Sequence, residues 1–313
     1  MANVDLLLAR VRRTFGEASP EQAVERVRAI IGTERLPENA EGGLAREALQ
    51  ALKNGEEPTP KQLAALEMMM RMMRPAPKIV NGRPEDFAEE DFLKLFPAWE
   101  KFQEAVQPFV RSIGRIDRTD GQPLGTGFLV NETTLVTNRH VLDGASNGTR
   151  RLERGQAIIS FRREFQTPDE SPVDIVGVKG FHETLDIAVL QVEPRVFSVD
   201  RQPLSLSSGP KVGDNVVAIG FPFNDPQRNP MFIGTVFGNR FGVKRAAPGD
   251  VVATSTDGSR WSHDCSTLGG NSGSPVLSMD TAKVVGLHFG GTFLWRNEAV
   301  DGSALGAFLA AHP

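Results

Sequence analysis

From about Phe109 onward the chain reads as a series of short apolar runs, each bounded by Gly, Pro, Asn or Asp. They are GTGFLV, TTLVTNRHVL, QAIISFR, LDIAVLQV, NVVAIGFPF, MFIGTVFGNRFGV, SPVLS and KVVGLHFGG. Runs of this length suit strands rather than helices. Many short strands at regular spacing without intervening helical periodicity imply antiparallel barrels or a sandwich. No internal repeat or low-complexity segment interrupts the pattern.

The first 75 residues obey a different period. Leu7, Leu8, Val11 and Phe15 share one helical face before Gly16 ends the run. Ser19-Pro20-Glu21-Gln22 is a capping box with proline at the first helical position, and Val24, Val27 and Ile30 follow before a stop at Gly32. Leu44, Ala48, Leu49 and Leu52 predict a third helix ending near Gly55, and Thr59-Pro60 opens a fourth that stops before Pro75. Four short amphipathic helices make a small bundle. Helical spacing puts Met70 and Met73 of the MMMRMM run inside, so some of Met68, Met69 and Met72 must be exposed or meet another surface. The reading is thus of a helical bundle over residues 1–75, a linker with connecting helices over 76–108, and a β domain over 109–313. RPAPKIVNGRP, Arg74 to Pro84, is the linker candidate, because three prolines and an Asn-Gly step break the periodicity. A helical stretch from Glu85 to Val106 is broken at Pro97.

The net charge of -4 gives no reason to expect nucleic acid or an anionic membrane as partner. No stretch is long and apolar enough to span a bilayer, and the start MANVDLLLARVRRTF lacks the pattern of a secretory signal, so a cytoplasmic location is expected. Cys265 is the only cysteine, which rules out an intrachain disulfide. His263 and Cys265 lie two apart, but further ligands for a metal do not assemble around them, and neither metal nor cofactor is expected. Tyrosine is absent, so proton transfer falls to His, Asp, Glu or Lys.

A serine hydroxyl attacks a carbonyl only with a base to take its proton, a group to orient that base, and donors for the oxyanion. LVTNRHVL places His140 after an apolar strand, HETLDIAVLQV places Asp186 at the start of another, and GGNSGSPV places Ser272 in a glycine-rich loop. His, Asp, Ser is one of the orders in which such a triad occurs. Asp174 is the weaker alternative to Asp186, lacking the apolar strand that follows.

With Gly125 before TGFLV, the T-x-x-H-V-L run, L-D-I-A-V-L and G-N-S-G-S-P-V in this order, the chain from Phe109 to its end resembles the chymotrypsin-like serine peptidases. The resemblance implies a mainly β peptidase domain of two six-stranded antiparallel barrels, preceded by the small all-α bundle. It implies a catalytic triad of His140, Asp186 and Ser272, with the N–H groups of Gly270 and Ser272 as oxyanion hole. Within that family the loop and the later strand GLHFGG are similar to the glutamyl endopeptidases. By that resemblance Thr267 and His288 line the specificity pocket, and cleavage of protein or peptide substrates after Glu, less readily Asp, is implied. Asn271 stands where zymogen-activated relatives carry an aspartate, so control through a freed α-amine is not expected. The whole architecture resembles bacterial peptidases fused to effector-associated or death-fold-like helical domains in immune and conflict systems. That implies a protein partner for the bundle. A catalytically inactive scaffold and an esterase remain the alternatives for the same site.

Overall fold

The computed structural model of the protein describes residues 4–31, 41–87, 90–167, 171–195, 201–227, 229–292 and 296–313. The helix stop expected at Gly32 lies outside them. Four helices open the chain: α1 (Val4–Phe15), α2 (Pro20–Ile31), α3 (Glu41–Lys53) and α4 (Pro60–Met72). The two capping boxes form as their sequences predict. Ser19 Oγ accepts from Gln22 N–H at 3.2 Å while Gln22 Oε1 accepts from Ser19 N–H at 2.8 Å. Thr59 and Gln62 repeat the exchange at 3.4 and 2.8 Å.

The methionine run meets a second surface. Met68, Met69, Met70, Met72 and Met73 are all buried, together with Glu67 and Arg71, so α4 is covered around its circumference over its last two turns. One side faces α2 and α3, and the other packs on a helix of the second barrel, Pro230–Phe237. The polar members Glu67 and Arg71 are therefore interior residues, which an amphipathic reading would have turned to solvent.

The segment from Arg74 to Pro84, expected as a linker, is built into the body of the molecule. Ala76 N–H donates to Val236 O (2.9 Å), Ile79 N–H to Lys244 O (2.9 Å), and Ala246 N–H to Pro77 O (3.0 Å). β1 (Ile79–Val80) and β2 (Arg83–Pro84) form a two-residue hairpin around Asn81 and Gly82, both at positive φ. Prolines end the helical period by removing N–H donors, but the carbonyls between them still serve as acceptors. Pro97 divides α5 (Glu90–Leu95) from α6 (Trp99–Val110), and Phe92, Phe96, Trp99 and Phe102 bury the joint.

Two closed barrels follow. β3 (Ile113–Arg118), β4 (Pro123–Leu129), β5 (Thr134–Thr137), β6 (Ala157–Ser160), β7 (Val173–Phe181) and β8 (Ala188–Val192) close in the order β3-β4-β5-β8-β7-β6, with α7 (Arg139–Ala145) between β5 and β6. β9 (Asn215–Gly220), β10 (Arg245–Thr254), β11 (Arg260–His263), β12 (Pro275–Ser278), β13 (Val284–Thr292) and β14 (Arg296–Asp301) close in the order β10-β11-β14-β13-β12-β9. Pairing is antiparallel throughout both barrels. The second barrel carries two helices, α8 (Pro230–Phe237) and α9 (Gly302–Ala310).

MFIGTVFGNRFGV, read above as a strand, is corrected by the fold: most of it is α8. Asn229 Oδ1 accepts from the N–H groups of Met231 (2.9 Å) and Phe232 (3.3 Å), Pro230 fills the first turn, and Gly238 at φ 58° ends the helix. End signals of both kinds outweigh the aromatic and β-branched content between them. Burial divides unevenly. Ile116, Leu129, Leu142, Ile159 and Leu190 belong to a core confined to the first barrel, whereas Leu66, Met70, Val217, Phe232, Trp261 and Leu287 belong to one core that joins the helical region to the second barrel and takes in Ile113, Phe128, Val136 and Val189 of the first.

Candidate active site

His140 sits in the first turn of α7, directly after β5. Asn138, the residue before α7, donates through Nδ2 to Asp186 O (2.8 Å), and Arg139 Nη1 donates to His182 O (2.8 Å) and to Glu183 O. These bonds hold the turn before β8 against α7. Asp186 then accepts twice from one residue: Oδ2 meets His140 Nδ1 at 2.6 Å, and Oδ1 takes the His140 backbone N–H at 3.0 Å. Burial raises the carboxyl's pKa, but the bonds and charge of His140, with Arg139 beside it, outweigh burial and hold it below the usual carboxylate range. The two-point contact fixes the ring with Nδ1 on the carboxylate and leaves Nε2 clear of it. Asp174, the alternative, lies on β7 and pairs with Arg154 instead.

The segments bearing His140 and Ser272 converge on Gly125. A Cβ there would lie 2.8 Å from Ser272 O and 2.8 Å from Val141 Cγ2, so only glycine lets them close. The neighbouring Thr126, fully buried, binds the loop twice. Its N–H donates to Ser272 O (2.8 Å) and its Oγ1 donates to Gly270 O (2.8 Å). A strand of the first barrel thus fastens the nucleophile loop of the second.

The carbonyls of that loop are all committed, and this orients its N–H groups. In a trans peptide the C=O and the following N–H point in opposite directions. Gly269 O accepts from Phe223 N–H (2.7 Å), which aims Gly270 N–H the other way. Asn271 O accepts from Ser274 N–H (2.9 Å), which does the same for Ser272 N–H. Among the described residues nothing takes up either N–H, while that of Asn271 is spent on Leu268 O (3.2 Å). Gly270 lies at φ 91°, and a Cβ would run into Phe221 O and the Phe223 ring. Asn271 Nδ2 bonds Leu268 O at 3.3 Å, so the neutral amide braces the loop from inside.

A cavity of about 170 Å³ opens beside Ser272, lined among others by Thr267, His288, Asn297 and Asp225. Both expected pocket residues are in it. Thr267 Oγ1 donates to Asn297 Oδ1 (3.0 Å), and Asn297 Nδ2 donates to Cys265 O (2.6 Å), so Asn297 sets the hydroxyl's orientation. His288 Nδ1 lies 3.2 Å from Nε2 of His263, whose ring is wholly buried. Burial lowers the pKa of both rings, that of His288 to about 3, and the charges of His140 and His288 add to the effect on His288 and His263 respectively. Both are neutral at pH 7. His263 entered the sequence reading only as a metal ligand without companions; its i+25 partner His288 lies across β14, two strands away in the barrel, and carried no local signal. Asn297 escaped for the same reason. Cys265 stays a thiol, its pKa pushed up to about 12 by burial and by Asp264.

Among the described residues no group of three or more His, Cys, Asp or Glu could hold a metal ion, and no helix is long and apolar enough to cross a membrane. Residues 125–287, just over half of the chain, match the family described as trypsin-like peptidase domain. A glutamyl endopeptidase of Staphylococcus epidermidis is 28% identical over 188 residues, which cover 58% of this chain and 58% of that protein. A Lysobacter enzymogenes protein named as a probable serine protease is 30% identical over 239 residues, covering 64% of this chain and 62% of its own. The chain thus spans about three fifths of the length of these relatives. A solved serine endoprotease from Yersinia pestis aligns with a TM-score of 0.49 at 18% identity, covering 67% of this chain and 65% of that one.

Proposed function

The chain belongs to the trypsin-like peptidase family, and on that footing we propose that it is a serine endopeptidase that cuts protein substrates after glutamate. Ser272 Oγ adds to the scissile carbonyl as its proton passes to His140 Nε2. Asp186 keeps Nδ1–H of the ring and stabilises the imidazolium that forms. The developing oxyanion takes the N–H groups of Gly270 and Ser272, which the committed carbonyls of Gly269 and Asn271 hold ready without reorganisation. His140 returns the proton to the departing amine, and water repeats the sequence in reverse roles to free the acyl group. The convergence of the His140 and Ser272 segments on Gly125 is the observation that carries this reading.

The preference for glutamate rests on the two neutral imidazoles. If His263 Nε2–H donates to His288 Nδ1, His288 must carry its proton on Nε2 and can offer it to a carboxylate in the pocket. Thr267 adds a hydroxyl once its proton leaves Asn297. The helical region shares the core of the second barrel, which favours an integral part of the enzyme over a tethered adaptor. Any partner would dock on the outer faces of α1 to α3. Cytoplasmic location and a part in bacterial conflict stay expectations of the sequence.

A fluorophosphonate probe and a peptide library test the proposal together. Wild type should be labelled at Ser272 and Ser272→Ala should not, and library products should end in Glu. Labelling or cleavage that persists in Ser272→Ala would overturn the triad. A library cut after Arg or apolar residues would overturn the pocket.

A further inference from the structure

The Asp186 carboxylate orients His140 only while the loop that carries it keeps its shape. That loop, residues 182–187, joins β7 to β8, and each of its carbonyls is committed. His182 O and Glu183 O take Arg139 Nη1, and Thr184 O takes Nη2 of Arg260 from β11 of the second barrel (2.9 Å). Leu185 O takes Ile187 N–H (2.9 Å), Asp186 O takes Asn138 Nδ2 (2.8 Å), and Ile187 O takes His182 N–H (3.0 Å). The bond from Ile187 back to Leu185 makes Asp186 the middle residue of a three-residue turn.

A side chain of the loop itself shapes the approach to that turn. His182 Nδ1 accepts from both Thr184 N–H (3.1 Å) and Leu185 N–H (3.0 Å). A neutral imidazole has one acceptor nitrogen, so these two donors put the ring proton on Nε2. The arrangement is that of an Asx turn, in which an Asn or Asp side-chain oxygen accepts from backbone N–H groups just ahead of it, and Nδ1 stands as many bonds from Cα as Oδ1 does. The ring adds what a carboxamide lacks. It packs on Phe308 of α9, with ring centroids 5.4 Å apart, and Phe308 stacks in turn on His312 (4.1 Å). One imidazole thus joins an acceptor for the Asp186 loop to an apolar face seated on the second barrel's terminal helix.

We propose that His182 is a positioning residue of the triad: its imidazole folds the 182–187 loop and thereby sets where the Asp186 carboxylate meets His140. The inference rests on the triad reading of the site. Asp186 spends one oxygen on the His140 ring and the other on the backbone of the same residue, at 2.6 and 3.0 Å, so a change in the loop disturbs both bonds at once. Without the acceptor, the Thr184 and Leu185 N–H groups turn to water and the turn at Asp186 loses its template. Asn138, Arg139 and Arg260 still tether the carbonyls, so the loop stays in place while its shape loosens. The loss falls on turnover.

The test uses the full chain and two readouts: steady-state kinetics on a peptide with Glu before the scissile bond, the Glu peptide, and the rate of fluorophosphonate labelling at Ser272, which needs no recognition of a side chain. His182→Phe keeps a ring against Phe308 and removes the acceptor. It should lower kcat and the labelling rate together by about 10- to 100-fold with KM nearly constant, since a misplacement of about 1 Å in a catalytic constellation can cost about 100-fold. His182→Asn gives up the ring, keeps an acceptor at the same reach, and should recover most of the loss in both readouts. Equal activity in the two variants, or the reverse order, would make His182 a packing residue and overturn the inference. If His182→Phe does not fold, amide exchange in His182→Asn decides: kcat should follow the protection of the Thr184 and Leu185 amides, and fast exchange at full kcat would overturn the inference. Asp186→Asn, run alongside, keeps the two readings apart. Wild-type kcat in that variant would sink the triad reading and this inference with it, whereas an inactive Asp186→Asn beside a fully active His182→Phe would sink this inference alone.

Discussion

Arg74 and Asp264, 190 residues apart in the chain, meet at 2.9 Å in the interior, the guanidinium from the end of the helical region and the carboxylate from the residue after β11. Asp264 Oδ1 also accepts from Asp250 N–H (2.6 Å), so the pair sits on the joint between β10 and β11. The arginines of the helical region hold the Asp264 carboxyl far below its usual range against the opposing effect of burial. Removing one member of such a pair strands the other. Arg74→Met should destabilise the protein by about 3–5 kcal/mol in urea titrations. Deletion of residues 1–75 should give an aggregated or unfolded product by circular dichroism, because it also uncovers α8 and the shared core. A soluble truncated chain with full activity on small peptides would show that the bundle is dispensable.

The buried histidines predict how stability varies with pH. His263 and His288 have pKa values lowered by burial in the folded state, whereas in the unfolded chain they titrate near the ordinary histidine value of about 6.5. Between that value and the folded one the unfolded state binds protons that the native state does not. Stability is therefore full above about pH 6.5 and falls as pH drops below it, by up to about 1.4 kcal/mol per pH unit for each ring. Asp264 acts in a lower window, since its contribution is lost only as pH falls below the ordinary carboxylate value. Urea midpoints at pH 7.5, 6.5 and 5.5 should fall, and His263→Phe should flatten the decline. An unchanged slope in that variant would mean that other groups carry it.

The two barrels were legible because short apolar runs between turn residues are a local pattern, and the residues proposed for the triad and the oxyanion hole could be named for the same reason: a glycine where backbones must touch, an apolar strand before the base, a turn that leaves N–H groups free. β3, β7, β10, β11 and β14 were not marked. β10 contains Pro248 and Gly249, and β14 reads RNEAVD, so closure of the barrel, not side-chain alternation, makes them strands. The Arg74–Pro84 segment misled because proline marks the end of helical hydrogen bonding and says nothing of what the freed carbonyls bind. Glu67 and Arg71 were illegible for a related cause. A charged residue on a helix is read toward solvent unless its surroundings are known, and here Glu67 takes Arg10 from α1 far upstream while α8, which covers another side of α4, lies far downstream.

Thr126 carries the last prediction. It is the one side chain of the first barrel described above as bonding the nucleophile loop, and its two contacts are of different kinds: the backbone N–H to Ser272 O survives any substitution, whereas Oγ1 to Gly270 O does not. Phe221 N–H also points at Oγ1, at 3.3 Å. Thr126→Val keeps volume and shape but removes the donor that holds the Gly270 carbonyl, leaving that peptide, which lies between the two oxyanion donors, held only by the Asn271 N–H on Leu268 O. The oxyanion donors then lose preorganisation, with Ser272, His140 and the specificity pocket untouched. We expect kcat to fall by about 10- to 100-fold with KM nearly constant, a fraction of what losing a whole oxyanion donor costs. Steady-state kinetics on the Glu peptide read the split. A rise in KM at constant kcat would instead place Thr126 in substrate binding, and the loop's orientation would have to be assigned to the Phe223 and Ser274 contacts alone.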